Sequence, residues 1–147
     1  MMPMEGPVEI LLVEDNEADI RLTQEGIKEA KIHNNLCVTR NGEEAMSFLH
    51  KRGDYKDAVT PDLILLDLNL PKKDGREVLE EIKSDENLSH IPVVILTTSE
   101  AEKDIIKSYK LHANCYVNKP MGIDQFVEVI KAIEDFWFTI VKLPSEE

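Results

Sequence analysis

Aromatic residues make up only 5% of this 147-residue sequence, and cysteine occurs twice, at Cys37 and Cys115. Two thiols far apart, each inside an apolar stretch, exclude a disulfide scaffold and read as reduced core residues of a cytoplasmic protein. The histidines, His33, His50, His90 and His112, lack the spacing to cysteine or carboxylate that a zinc site needs, and read as surface or boundary residues. Basic residues are also in deficit: 17 Lys and Arg face 29 Asp and Glu, a formal net charge of −12. Binding to nucleic acid depends on neutralising phosphates with basic side chains, so no nucleic-acid partner is expected. Anionic lipid surfaces are disfavoured for the same reason, whereas a metal cation is not. No apolar run approaches the ~18 residues that span a bilayer, and the N-terminus has no basic region followed by an apolar stretch. The expectation is a cytoplasmic protein with no membrane contact.

What the chain does have is alternation. Its length suits one domain, since domains run to ~100–200 residues, and a core of that size needs neither disulfide nor metal to fold. Val8 to Val13 is an apolar run broken only by Glu9, which suits a strand buried on both faces. Asn16 then offers a helix N-cap, with Ile20, Ile27 and Ala30 following at helical spacing. Leu36 to Thr39 reads as a second, shorter strand, and Asn41-Gly42-Glu43-Glu44 opens a second helix through Ala45, Met46, Phe48 and Leu49. Leu63 to Leu66 is the strongest core strand; Leu70-Pro71-Lys72-Lys73-Asp74-Gly75 reads as a loop. Val78, Leu79 and Ile82 mark a third helix. A strand follows at Val93 to Leu96, a helix around Ile105 to Leu111, a short strand at Cys115 to Val117, and a last helix from about Ile123 to Phe138. Glu77, Glu80, Glu81 and Lys83 read as a solvated helix face. The βα unit repeats five times, which predicts an open, doubly wound α/β fold with a five-stranded parallel sheet and five helices. The expected organisation is an N-terminal tail over 1–7, the domain over 8–138 and a C-terminal extension over 139–147.

Ligands of open α/β sheets sit at the carboxyl ends of the strands. The first strand ends in Glu14-Asp15, the third in Asp67, the fourth in Thr97-Thr98-Ser99 and the fifth in Asn118-Lys119-Pro120, whereas the second ends unremarkably in Arg40-Asn41. Three carboxylates, a hydroxyl and an ammonium therefore meet at one end of the sheet. Carboxylates so close repel one another unless one is protonated or a cation sits among them. Mg²⁺ fits, because it takes oxygen ligands and combines one or two carboxylates with water and a substrate phosphate. A carboxylate flanked by a cation, Lys119 and the Thr97 hydroxyl is a site for an incoming phosphoryl group, with Asp67 the best nucleophile.

Leu12-Val13-Glu14-Asp15-Asn16, Leu65-Leu66-Asp67-Leu68-Asn69-Leu70-Pro71, Asp74-Gly75, Leu96-Thr97 and Lys119-Pro120 together resemble the receiver domain of two-component response regulators, the CheY-like family. The resemblance implies a flavodoxin-like fold with strand order 2-1-3-4-5. It implies that Asp67 is the phosphoacceptor, that Glu14, Asp15, Asp67 and the main-chain carbonyl of Asn69 hold Mg²⁺, and that Lys119-Pro120 is a cis peptide. It further implies that Thr97 and Tyr116 form the conformational switch, and that Asn69 and Ser99 tune the lifetime of the phosphoryl group. The implied partner is a histidine kinase or phosphotransfer protein, and the protein is not an enzyme beyond its own phosphorylation and dephosphorylation. Three features depart from the commonest pattern: Glu14 in place of Asp, the Lys72-Lys73 pair in the loop, and the ending from Asp135-Phe136-Trp137-Phe138 through Val141-Lys142-Leu143-Pro144. That ending resembles the small single-domain regulators that partner bacterial phytochromes and related kinases. Its apolar residues either cover their own domain or, as expected here, pair two copies into a homodimer. Three other readings compete. An aspartyl-phosphate phosphatase needs an acid/base where Asn69 stands, and a flavin carrier needs a phosphate-binding loop where Glu14-Asp15 stands. A fixed interaction module would not need the complete acidic site.

Overall fold

A computed structural model describes residues 7–29, 33–68, 70, 72–97 and 115–118, together with 124, 127 and 128. The strands are β1 (Val8–Val13), β2 (Asn34–Thr39), β3 (Leu63–Asp67), β4 (Val93–Thr97) and β5 (Cys115–Asn118), and the helices α1 (Glu17–Glu29), α2 (Gly42–Leu49) and α3 (Gly75–Ser84). The sheet runs β2-β1-β3-β4-β5, and every neighbouring pair is parallel. β3 and β4 are buried at all five positions, as expected of strands covered on both faces. One face carries Leu11, Val13, Ile64, Leu66, Val93 and Ile95 against α2 and α3; the other carries Ile10, Leu12, Leu63, Leu65, Val94 and Leu96 with Ile20 and Ile27 of α1. Each such side chain contributes roughly 1.5–3 kcal/mol when fully buried, so the sheet interior is the principal source of stability.

The helices start where local chemistry lets them. The Asn16 side chain accepts the Asp19 N–H at 3.0 Å, and the Asn41 side chain accepts the Glu44 N–H at 2.8 Å. Asp74 and Glu77 form a reciprocal capping box at the start of α3.

The structure corrects three sequence expectations. β2 begins at Asn34 rather than Leu36 and matches β1 residue for residue. As an edge strand it leaves Cys37 exposed rather than in the core; partial desolvation and then the Glu9 carboxylate push that thiol up, which makes it less reactive. Lys83 is not merely part of a solvated face, since its ammonium donates to the Ser89 and Ile91 carbonyls at 3.2 and 2.8 Å and fastens α3 to the turn before β4. Burial lowers its pKa. The helix expected around Ile105 to Leu111, most of the last helix and the extension 139–147 lie outside the described residues. No helix among the described residues is long and apolar enough to cross a membrane.

At the opposite end of the sheet from the loops after β1 and β3, Asp62 accepts the Glu9 N–H at 2.9 Å. Burial and the Glu9 carboxylate push the Asp62 carboxyl up, and that N–H pulls it back. A raised folded pKa means that ionisation of Asp62 opposes folding at neutral pH and stops doing so as pH falls through the folded value. Asp62→Asn keeps an acceptor for Glu9 and removes the charge. It should stabilise the protein at pH 7 by about a few tenths of a kcal/mol, a partly exposed group being well screened. The gain should fade as pH falls through the raised folded value into the usual carboxylate range, read as the difference in denaturant midpoint between pH 7 and pH 4.

Candidate functional site

Glu14 comes directly after β1 and is only 1% exposed. Its N–H donates to the Thr39 carbonyl at 3.0 Å, and its carboxylate accepts the Asn16 N–H at 3.3 Å. The exposed Asp15 lies between two residues whose backbones are thereby fixed. Asp67 ends β3 and is also 1% exposed. The register between β3 and β4 pairs Asp67 with Leu96, so the fully buried Thr97 stands one residue beyond, paired in turn with Asn118. Glu14, Asp15 and Asp67 each bring a carboxylate oxygen within 4.8 Å of the others.

Oxygen ligands around a Mg²⁺-sized ion lie ~2.0–2.1 Å from it, hence about 3.0 Å apart in adjacent positions and about 4.2 Å apart in opposite ones. A spread of up to 4.8 Å needs only small side-chain adjustment to close on one ion. The donors are hard oxygens, two deep and one open to solvent, which suits a cation that keeps water on its exposed side. These residues therefore fit a divalent metal.

The loop between β3 and α3 is held to this site by close backbone contact. The Gly75 N–H donates to the Leu68 carbonyl at 3.0 Å. A Cβ on Gly75 would stand 2.4 Å from the Asp67 carbonyl oxygen and 2.7 Å from the Leu68 Cα. From the other side, a Cβ on Gly42 would stand 2.2 Å from the Lys73 carbonyl oxygen. The first turn of α2 thus forms a wall for the loop. The end of β2, which looked unremarkable in sequence, supplies much of the frame: the Thr39 carbonyl holds Glu14, Arg40 pairs with Glu17 at the start of α1, and the Arg40 N–H donates to Glu44 at 2.9 Å. Its one legible signal was the Asn41-to-Glu44 capping pattern. Lys73 spends its charge on Glu81 in α3. Asn69, Ser99, Lys119 and Pro120 lie outside the described residues, and of Tyr116 only the backbone, paired with Ile95, is described.

Comparison with known proteins fits this geometry. The response regulator receiver domain family matches residues 10–131. The chain belongs to that family. Among curated relatives, the response regulator Rcp1 of Synechocystis sp. is 52% identical over 139 residues, 95% of each chain. The solved structure of the phosphorylated cyanobacterial phytochrome response regulator RcpA aligns at 53% identity with a TM-score of 0.75, covering 90% of this chain and 95% of that one. The Mn²⁺-bound form of Rcp1 aligns at a TM-score of 0.73, covering 89% and 94%. The bacteriophytochrome response regulator RtBRR aligns at 43% identity and a TM-score of 0.81, covering 86% and 78%. The receiver is thus a two-component signalling protein of flavodoxin-like fold.

Gly75→Ala in this receiver sets a Cβ against backbone that has nowhere to go. It should cost about 2–3 kcal/mol and weaken divalent-cation binding, read as a smaller cation-induced rise in melting temperature. Gly53→Ala is the control: Gly53 has φ +55 with open space around it, so the variant pays only the left-handed backbone cost of about 1–2 kcal/mol and should keep the same divalent-cation response as the parent.

Proposed function

We propose that this receiver takes a phosphoryl group onto Asp67 from a histidine kinase or phosphotransfer protein, with Mg²⁺ held by Glu14, Asp15, Asp67 and the main-chain carbonyl of Asn69. The observation that carries this reading is the meeting of three carboxylates at the end of β3, with the buried Thr97 one residue past the partner of Asp67. An Asp67 carboxylate oxygen attacks phosphorus, the P–N bond of the phosphohistidine breaks, and the imidazole leaves with the electron pair. Bound Mg²⁺ supplies charge neutralisation for the phosphoryl oxygens. The Thr97 hydroxyl donates to one of those oxygens and the Lys119 ammonium pairs with another. Lys119-Pro120 is the cis peptide that presents that lysine. Thr97 and Tyr116 then switch together, and Asn69 and Ser99 set how long the acyl phosphate lasts.

The names of RcpA and RtBRR support a sensor kinase of the phytochrome type as the donor. The fold elements expected beyond β4, which complete five helices, form the face that changes on phosphorylation. Signalling passes through protein contacts, and the last helix with its tail pairs two copies. A monomeric mass by light scattering, with and without phosphorylation, would remove the pairing.

Intact mass after incubation with Mg²⁺ and acetyl phosphate tests the acceptor. One labile phosphoryl adduct is expected, absent without Mg²⁺ and absent in Asp67→Asn. No adduct in the wild type, together with no beryllofluoride complex, would leave a receiver that acts as a fixed interaction module.

A further inference from the structure

A lysine stands where the backbone suits glycine. Lys72 has φ +68, in the left-handed region that a Cβ disfavours and glycine enters freely. The other described non-glycine residue with positive φ is Lys51, at +57, and its conformation has a local use. Lys51 stands just past α2, where its N–H reaches the Phe48 carbonyl and that of Arg52 reaches the Ser47 carbonyl, closing the helix end. Lys72 closes nothing: it is exposed, and it has no hydrogen bond or ion pair among the described residues. Its neighbour Lys73 differs in every respect, with its ammonium on Glu81 and its carbonyl against Gly42. One charge of the Lys72-Lys73 pair is neutralised within the fold, and the other is left in solvent in a disfavoured backbone conformation. An outlier of this kind points toward function.

The loop keeps Lys72 near the site. Gly75 lies three residues on, a span of at most roughly 11 Å of chain, and Gly75 is packed against the Asp67 carbonyl. Adding the distance from Gly75 through the Asp67 main chain to its carboxylate keeps the Lys72 backbone within roughly 20 Å of that group, about two Debye lengths at 0.1 M salt (~10 Å each) but inside the ~30 Å of 0.01 M salt. An anion approaching Asp67 meets an unfavourable field. The chain carries −12, and the three carboxylates are only just matched by one divalent cation and the proposed Lys119 together, which leaves no positive excess at the site to draw an anion in.

We infer that Lys72 is an approach residue for the anionic phosphodonor, its ammonium speeding the encounter of a phosphoryl-bearing anion with Asp67. The inference rests on the reading of Asp67 as acceptor. The chemistry it assists is transfer from an acyl phosphate: an Asp67 oxygen bonds to phosphorus, the bridging P–O bond breaks, and acetate leaves with the electron pair. Lys72 takes no part in that bond exchange. It acts on association alone.

The test is a charge series at position 72, using Lys72→Asn and Lys72→Asp because Asn and Asp tolerate the left-handed region. Phosphorylation rates are measured by intact mass at saturating Mg²⁺, in ~0.01 M and ~0.5 M salt, with acetyl phosphate (a dianion) and phosphoramidate (a monoanion). At low salt each unit of positive charge removed should slow acetyl phosphate about two- to fourfold and phosphoramidate less, and the differences should vanish at high salt. Lys72→Gly should melt no lower than wild type, because it relieves the backbone. Equal rates across the series at low salt would overturn the inference, as would a charge ladder undiminished at high salt or a destabilised Lys72→Gly. Absence of any adduct on wild type would overturn the acceptor reading itself, so the two failures are distinguishable.

Discussion

Glu14, Asp15 and Asp67 hold carboxylate oxygens within 4.8 Å of one another, two of the three almost wholly shielded from water. At that separation two unit charges repel by roughly 3–4 kcal/mol in an effective dielectric of about 20. Asp15 is exposed, so its two pairs are screened below that figure, and the buried Glu14–Asp67 pair carries most of the repulsion. A divalent cation among the oxygens turns the same cluster into an attractive one, and that coupling binds the receiver's site to its fold. Parallel strands impose the crowding: β1 and β3 are neighbours in register, so the residues after Val13 and Leu66 converge on one edge.

The rest of the molecule absorbs that crowding by fixing the backbone. Buried apolar strands set where Glu14 and Asp67 begin. The Thr39 carbonyl and the Asn16 N–H then hold Glu14, while Gly75 lets α3 start directly against the Asp67 main chain. Gly42 does the same for the first turn of α2 against Lys73. A carbonyl oxygen that would lie 2.2–2.4 Å from a Cβ cannot accept one without moving, so the loop after β3 is gripped from both sides. Preorganisation of this kind is what a site gains when it must bind a metal without a large rearrangement.

The sequence made the architecture legible because the βα rhythm and the strand-end residues are local signals. Leu63 to Leu66 announced a strand buried on both faces, and Glu14, Asp15 and Asp67 announced their convergence once the strands were taken as parallel. The edge was harder. Asn34 and Asn35 are poor strand formers, and they join β2 only because pairing with Val8 and Glu9 outweighs propensity. Cys37 looked like core from its apolar neighbours, but an edge strand has a face that no helix must cover. Lys83 looked solvated from its helical spacing, because the carbonyls it meets, at Ser89 and Ile91, belong to a turn that periodicity does not describe. The grip of Gly42 on Lys73 was equally hidden, being a contact between segments some thirty residues apart that leaves no local pattern.

The same grip explains how the loop can carry two lysines with different fates. Lys73 is tied at both ends, by its carbonyl to the start of α2 and by its ammonium to α3, so its charge belongs to the fold. That anchoring fixes the residue after Lys72, and the Asp74 cap and the Gly75 contact fix the start of α3 just beyond. Lys72 takes its left-handed conformation beside this confined residue, with no hydrogen bond or ion pair of its own among the described residues. A segment so constrained can change its solvent-facing charge without changing the geometry around Asp67. Electrostatic access to the site and the positioning of its carboxylates are therefore separable properties of one loop, the first residing in an exposed side chain and the second in backbone contacts that only glycine permits.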